Sequence, residues 1–437
     1  MVIFKIIHGY PMRFNAGSEI YSQLLCHGLA DNEHKVHIFT REEDVFKPDY
    51  ELHEETDPQD ARITLHVINM PKSRFSQRYQ HKEVDRKIEH ILNEIRPDIV
   101  HIGHLNHLST SLVDIISKKQ IPIVFTLHDY WLMCPRGQFI QRNSKEPWAL
   151  CSGQEDVKCA TQCFSGFFTG DPKRQSFDIA HWTSWVSQRM HHMKEIINQV
   201  DLFVAPSQYL LNRFRDGFGV PEHKLIFIKY GFNLDRLQPR ERIPNEPFTF
   251  GYIGTHIPAK GIQDLIIAFS RLKTDSLLRI WGRPREETAN LKSIVSTLAP
   301  SIQKRIEWKS EYKNQEITSD VFNHIDALVV PSIWVENAPL VIHEALQVRL
   351  PVITADAGGM AEYINHGVNG LLFKHRDPLS LAVQMETLAL NPITASKLGS
   401  RGYLQSTTKN IPDLKQHVEE IQGIYHRLLI KQERQIV

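Results

Sequence analysis

Short apolar runs alternate with longer stretches whose apolar positions recur at helical spacing, and the alternation continues through most of the chain. FKIIHG, KVHIFT, ITLHVIN, PDIVHIG, IPIVFTLHD and DLFVAPS read as strands bounded by polar turns. Between them, SEIYSQLLCHGLADN and a stretch ending in RKIEHILNEIR read as amphipathic helices. KLIFIKYGFNLDRL looks like a closing strand and domain exit, and RIPNEPF like a linker. The pattern then restarts: FTFGYIGTH as a strand, GIQDLIIAFSRLK as a helix, and SLLRIWGRP, RIEWKS and DALVVPS as strands. From about Ile411 the tail PDLKQHVEEIQGIYHRLLIKQ has helical spacing. This order predicts an α/β fold of two parallel sheets covered by helices, over residues 1–240 and 247–410, followed by a helix over 411–437. Ligands in such sheets bind beyond the carboxyl ends of the strands.

A length of 437 residues agrees with two or three domains. Lys and Arg total 51 against 50 Asp and Glu, so the chain lacks the basic excess of a nucleic-acid binder. No apolar run approaches the roughly 20 residues that span a bilayer. The opening MVIFKIIHGYPM is too short in apolar residues for a signal peptide, and five cysteines do not make a secreted disulfide framework. Cytoplasmic location is the default expectation.

The stretch from Val329 to Gly370 carries the chemistry. DALVVPS is a buried strand, WVENA a loop, and PLVIHEALQ a helix with Pro339 in its first turn. A helix start offers unpaired amides and partial positive charge, which suits a phosphate. Glu336 at its mouth and Glu344 deeper can each accept hydrogen bonds from hydroxyl pairs. A phosphate flanked by two sugars is a nucleotide sugar. The string resembles the donor signature of the retaining glycosyltransferases of family four, which have the two-domain GT-B fold: Glu336, seven residues, Glu344, then Gly358-Gly359 and Asn369-Gly370. The resemblance implies two Rossmann-like domains facing each other across a cleft. It also implies a donor held by Asn337, Ala338, Pro339, Leu340 and Val341 with the two Glu, and a C-terminal helix crossing back onto the first domain.

Further residues follow from the same resemblance. Lys260 in YIGTHIPAKG occupies the place of the family's lysine against the donor diphosphate, where a cation stabilises the leaving group. Thr255 stands where the family usually has Arg, and Arg283 or Arg285 in WGRPRE can supply the missing charge. HDYW followed by CPR matches one branch, which places His128 at a strand end facing the donor sugar; Asp129 caps the next turn. Gly17 in RFNAGSE belongs to a glycine-containing loop that lets backbone approach the diphosphate or acceptor. His101, His104, Asn106 and His107 lie at or just past another strand end, as acceptor contacts or as core.

These residues imply transfer of a sugar from a UDP- or GDP-sugar to a glycan or lipid-linked acceptor, with retention by front-side displacement. His128, Lys260 and Glu336 carry the reaction, and catalysis requires no cofactor. Two alternatives are a nucleotide-sugar epimerase and a non-catalytic glycan- or nucleotide-binding protein on the same frame. An insertion over about 134–200 departs from the pattern. Its Cys134, Cys151, Cys159 and Cys163 are a possible structural zinc site, or four reduced thiols in a packed loop. Its aromatic residues Phe164, Phe167, Phe168, Phe177, Trp182 and Trp185 pack a helix onto its own domain; peripheral membrane contact is the other reading.

Overall fold

The computed structural model describes residues 1–71, 79–144, 146, 148–240, 242, 247–403 and 412–436. Residues 243–246 of the expected linker and Ile411 lie outside them. The chain forms two compact units: residues 1–147, 151–232 and 413–437, and residues 148–150 with 233–412. Its strands are β1 (Val2–Ile6), β2 (Lys35–Glu42), β3 (Leu52–Thr56), β4 (Thr64–Asn69), β5 (Ile99–Ile102), β6 (Ile123–Thr126), the two-residue β7 (Ile140–Gln141) and β8 (Ala149–Leu150), β9 (Leu202–Ala205), β10 (Leu225–Phe227), β11 (Thr249–Ile253), β12 (Leu277–Trp281), β13 (Ile306–Trp308), β14 (Ala327–Val330), β15 (Val352–Ala355) and β16 (Gly370–Phe373).

The first sheet has the order β10-β9-β6-β5-β1-β2-β4-β3, and every pairing is parallel except β3 with β4. That antiparallel edge departs from the all-parallel expectation. β3 alternates half-buried and exposed positions, as suits an edge, whereas β1, β5 and β6 are apolar runs buried on both faces. Of the closing segment KLIFIKYGFNLDRL, only Leu225–Phe227 is strand. The helix Leu414–Ile436 belongs to this unit. Its His417 ring hydrogen-bonds the Tyr21 hydroxyl at 2.9 Å, and its Tyr425 hydroxyl bonds His101 at 2.6 Å. Both residues are buried against the helix Gly17–Asp31 and β5, so the last helix completes the first unit's core.

The second sheet is wholly parallel, in the order β13-β12-β11-β14-β15-β16. Residues 233–240, expected in the first domain, belong here. Arg236 and Arg240 anchor them: Arg236 pairs with Glu344, and Arg240 donates to Ile325 O at 2.6 Å. Both are Rossmann-like sheets, the first parallel but for its β3 edge.

Candidate active site

In the second sheet the chain starts in the middle at β11, moves outward through β12 and β13, then returns to lay β14, β15 and β16 on the other side. The loops leaving β11 and β14 therefore diverge and open a crevice at their carboxyl ends. Lys260 lies in the short helical turn after β11 and Glu336 in the loop after β14. Their charged atoms are 2.9 Å apart, and the Ser332 hydroxyl also donates to Glu336. Glu336 is buried while the Lys260 side chain is 29% exposed, so the ammonium is the accessible member. The lysine lies over the Trp334 ring at 5.8 Å.

Two glycines permit this arrangement. At Gly261 φ is +69°, and a Cβ would stand 2.0 Å from Pro331 O. At Gly359 a Cβ would coincide with Asn337 O, 1.1 Å away, while its amide donates to Glu336 O at 2.9 Å. The Gly358-Gly359 turn thus clamps the backbone of the Glu336 loop from below.

The helix Leu340–Gln347 follows that loop, with Pro339 as its N-cap rather than within its first turn. Proline at this place holds φ at −60°, and no side chain caps the amides that follow. Asn337 and Ala338 are buried, and Pro339, Leu340 and Val341 are half-buried. Glu344 is buried one turn further in, where Arg236 donates to it at 2.6 Å and also to Asn314 O at 3.1 Å. Tyr312 lies close enough that Glu344 and burial raise its phenol pKa. Thr255 is half-buried and its carbonyl accepts from the Tyr252 hydroxyl at 3.3 Å. Arg283, expected to supply the missing cation, is paired with Glu311 at 3.4 Å; Arg285 is exposed.

The first sheet has its own reversal between β1 and β5. His8 follows β1, His104 follows β5, and His128 follows the neighbouring β6. The His8 and His104 rings meet at a tilt of 54°, 4.5 Å between centroids; His8 reaches Glu19 at 3.4 Å and His104 reaches Asp129 at 3.3 Å. Asp129 also accepts from the Trp131 amide at 2.7 Å, the turn cap expected of it. His128 is half-buried and its Nδ1 meets the Tyr230 hydroxyl at 2.7 Å. Desolvation, then the charges of Lys5 and His104, hold His128 well below the usual imidazole pKa, so it is neutral near pH 7. Gly17 starts the helix Gly17–Asp31, and Asn106 and His107 are half-buried, His107 with φ +66°.

His101 corrects the expectation of an acceptor contact. It is 0% exposed, and its two nitrogens are bonded to Thr126 at 2.7 Å and Tyr425 at 2.6 Å. It lies inside β5, one strand residue too early to reach the sheet's edge. His8, in contact with His104, is not singled out by the run FKIIHG; its signal in the sequence is its place just after an apolar strand. Arg236 and Ser332 gave no such signal, because each acts on a glutamate far away or around a loop.

The aromatic insertion packs inward. Phe164 and Trp182 are buried with Cys159, Cys163, Val186 and Met190, and Phe167, Phe168 and Trp185 pack against them. Phe177 is exposed. Among the described residues no helix is long and apolar enough to cross a membrane.

Comparison with known proteins agrees with this geometry. The profile of Glycosyltransferase Family 4 matches residues 16–236, more than half of the chain, and that of Glycosyl transferases group 1 matches 235–405. The chain belongs to glycosyltransferase family 4. Glycogen synthase of Mycobacterium tuberculosis is 24% identical over 222 residues, which are 49% of this chain and 52% of the relative, so the chain spans about half the length of that protein. Among solved structures, sucrose-phosphate synthase from Thermosynechococcus elongatus superposes with a TM-score of 0.71 at 18% identity, covering 98% of this chain and 99% of that one. Anabaena HepE in complex with UDP gives 0.68 at 16% identity, covering 98% and 100%. These likenesses show the fold.

Proposed function

We propose that this glycosyltransferase moves a hexosyl group from a UDP- or GDP-sugar to a hydroxyl of a glycan or lipid-linked glycan, with retention of configuration. The Lys260–Glu336 pair at the β11/β14 reversal, beside an uncapped helix start, carries the reading. The Lys260 ammonium and the first amides of Leu340–Gln347 face the charge that grows on a departing diphosphate. Glu336 accepts from the sugar's hydroxyls, and Glu344, held by Arg236, accepts from the ribose. The anomeric C–O bond to phosphate breaks as the acceptor oxygen bonds the same face, and the acceptor's proton passes to the leaving phosphate oxygen. Neutral His128 can hydrogen-bond the transferred sugar without repelling a cationic transition state. HepE, in the same fold, is described with UDP, and the glycogen synthase relative builds a polysaccharide; both support a nucleotide donor and a glycan acceptor here.

Incubation with a panel of UDP- and GDP-sugars, without acceptor, tests the donor half: slow release of UDP or GDP is expected from one of them. An unchanged donor with no thermal shift across the panel overturns the reading, and conversion to an epimeric donor replaces it by an epimerase. With an acceptor found, an inverted anomeric proton coupling in the product refutes retention.

A further inference from the structure

Four cysteines from three stretches of the first unit line one enclosed pocket. Cys134 comes from the turn after β6, Cys151 from the residue after β8, and Cys159 and Cys163 from one face of the helix Asp156–Cys163. Each is fixed by backbone bonds: the amides of Cys134, Cys151 and Cys159 donate to Tyr130, Phe139 and Glu155 carbonyls at 2.7–2.8 Å, and Cys163 ends the same helix. The pocket's empty volume is about 270 Å³, with free room for little more than one water-sized particle. None of the four is in a disulfide, and all but Cys151 are buried. The fifth cysteine, Cys26, is buried elsewhere, in the helix Gly17–Asp31.

We propose that this pocket is a structural zinc site, with the sulfurs of Cys134, Cys151, Cys159 and Cys163 as a closed tetrahedral ligand set. A full set of soft sulfur donors selects zinc among common divalent ions, and leaving no open position makes the site structural. Binding releases four thiol protons to solvent and leaves a centre of net charge −2. Arg136 lines the same pocket, and the charges of Arg142 and Arg189 act on its thiols, so three guanidiniums stand ready to offset that charge.

Among the described residues no group of three or more His, Cys, Asp or Glu side chains already stands at ion-holding distances. The thiol hydrogen bonds give the reason. Cys151 donates to Gly153 O at 3.0 Å and Cys163 to Ile140 O at 3.7 Å, which turns both sulfurs toward carbonyls. In the proposed site zinc–sulfur bonds replace these two S–H···O contacts, and rotation of the two side chains turns their sulfurs toward a common centre. The ion would staple the turn after the HDYW segment to the aromatic cluster of the insertion, in which Cys159 and Cys163 already take part.

The test is elemental analysis of the full chain, purified without metal-affinity resin and dialysed against metal-free buffer, with thiols counted in denaturant. About one zinc per chain is expected. It should be lost in Cys159→Ser/Cys163→Ser and kept in Cys26→Ser. Should the double variant not fold, X-ray absorption of the unaltered protein decides, with zinc–sulfur distances of about 2.3 Å expected. Five titrating thiols with no zinc, a disulfide among the four pocket cysteines by mass, stoichiometric iron, or zinc retained by the double variant each overturn the proposal.

Discussion

Where the second sheet reverses, between β11 and β14, the side chains are formal charges held in pairs: Lys260 with Glu336 and, one helical turn away, Arg236 with Glu344. At the corresponding reversal of the first sheet, between β1 and β5, the side chains are imidazoles beside Glu19 and Asp129, and burial keeps His8, and His128 after the neighbouring β6, uncharged. The same topology thus presents opposite chemistry. Paired charges suit a ligand that brings its own charge, because a phosphate can take the ammonium from its carboxylate partner and leave that carboxylate to sugar hydroxyls. Neutral rings suit hydroxyl-rich ligands, which they meet as donor or acceptor. Under the function proposed above, the second unit would carry the diphosphate chemistry and the first the sugar or acceptor recognition.

The sharpest way to break this contrast is to remove the charge. Lys260→Ala should lower kcat by about 10²–10³ with a smaller change in KM, as expected for a group that stabilises the leaving phosphate; steady-state kinetics check it, and an effect below that of His128→Ala would invert the assignment. Arg236→Met should come next. It leaves the buried Glu344 carboxylate without its cation, so we expect about 3 kcal/mol lost in chemical denaturation and a weaker nucleotide affinity by calorimetry.

Tyr230→Phe removes the hydroxyl that fixes the His128 ring. It should raise donor KM severalfold and cost about 1 kcal/mol of stability, while UDP affinity stays unchanged. Acidification probes the first unit by another route. His37, His66 and His417 are each held at about 4 by burial, against an ordinary imidazole near 6.5. Protons therefore favour the unfolded chain as pH falls through 6.5 toward 4, and that loss is absent above 6.5. Thermal scans should show a lower Tm at pH 5 than at pH 7.5, with exchange-protected amides lost first from β2, β4 and the C-terminal helix. Smallest of all, Arg283→Ala should change nucleotide affinity by less than about twofold, because its partner is Glu311 at the surface.

Much of this was legible in the amino-acid order. Apolar runs and turn residues located most strands, and the Glu336-to-Gly370 string located the loop and helix at the second reversal. What stayed hidden was long-range pairing. Nothing around Arg236 announces a partner 108 residues away, and His101 and His104 look alike in PDIVHIGHLNH although one is sealed in the core and the other faces a strand end. Three residues separate them, and the strand's end at Ile102 falls between the two, which only the strand's exact end reveals. The edge strand β3 was missed because its alternation, LHEET, carries a single large apolar residue.

The C-terminal helix has a consequence for synthesis. His417 and Tyr425 fill places beside Tyr21 and His101, yet 180 residues of the second unit leave the ribosome between Phe232 and Asp413. At roughly 5–20 residues per second, the early half waits about 10–40 s with that gap unfilled. The later half, whose residues 233–412 are nearly continuous, can close first, so the order of maturation runs against the order of translation.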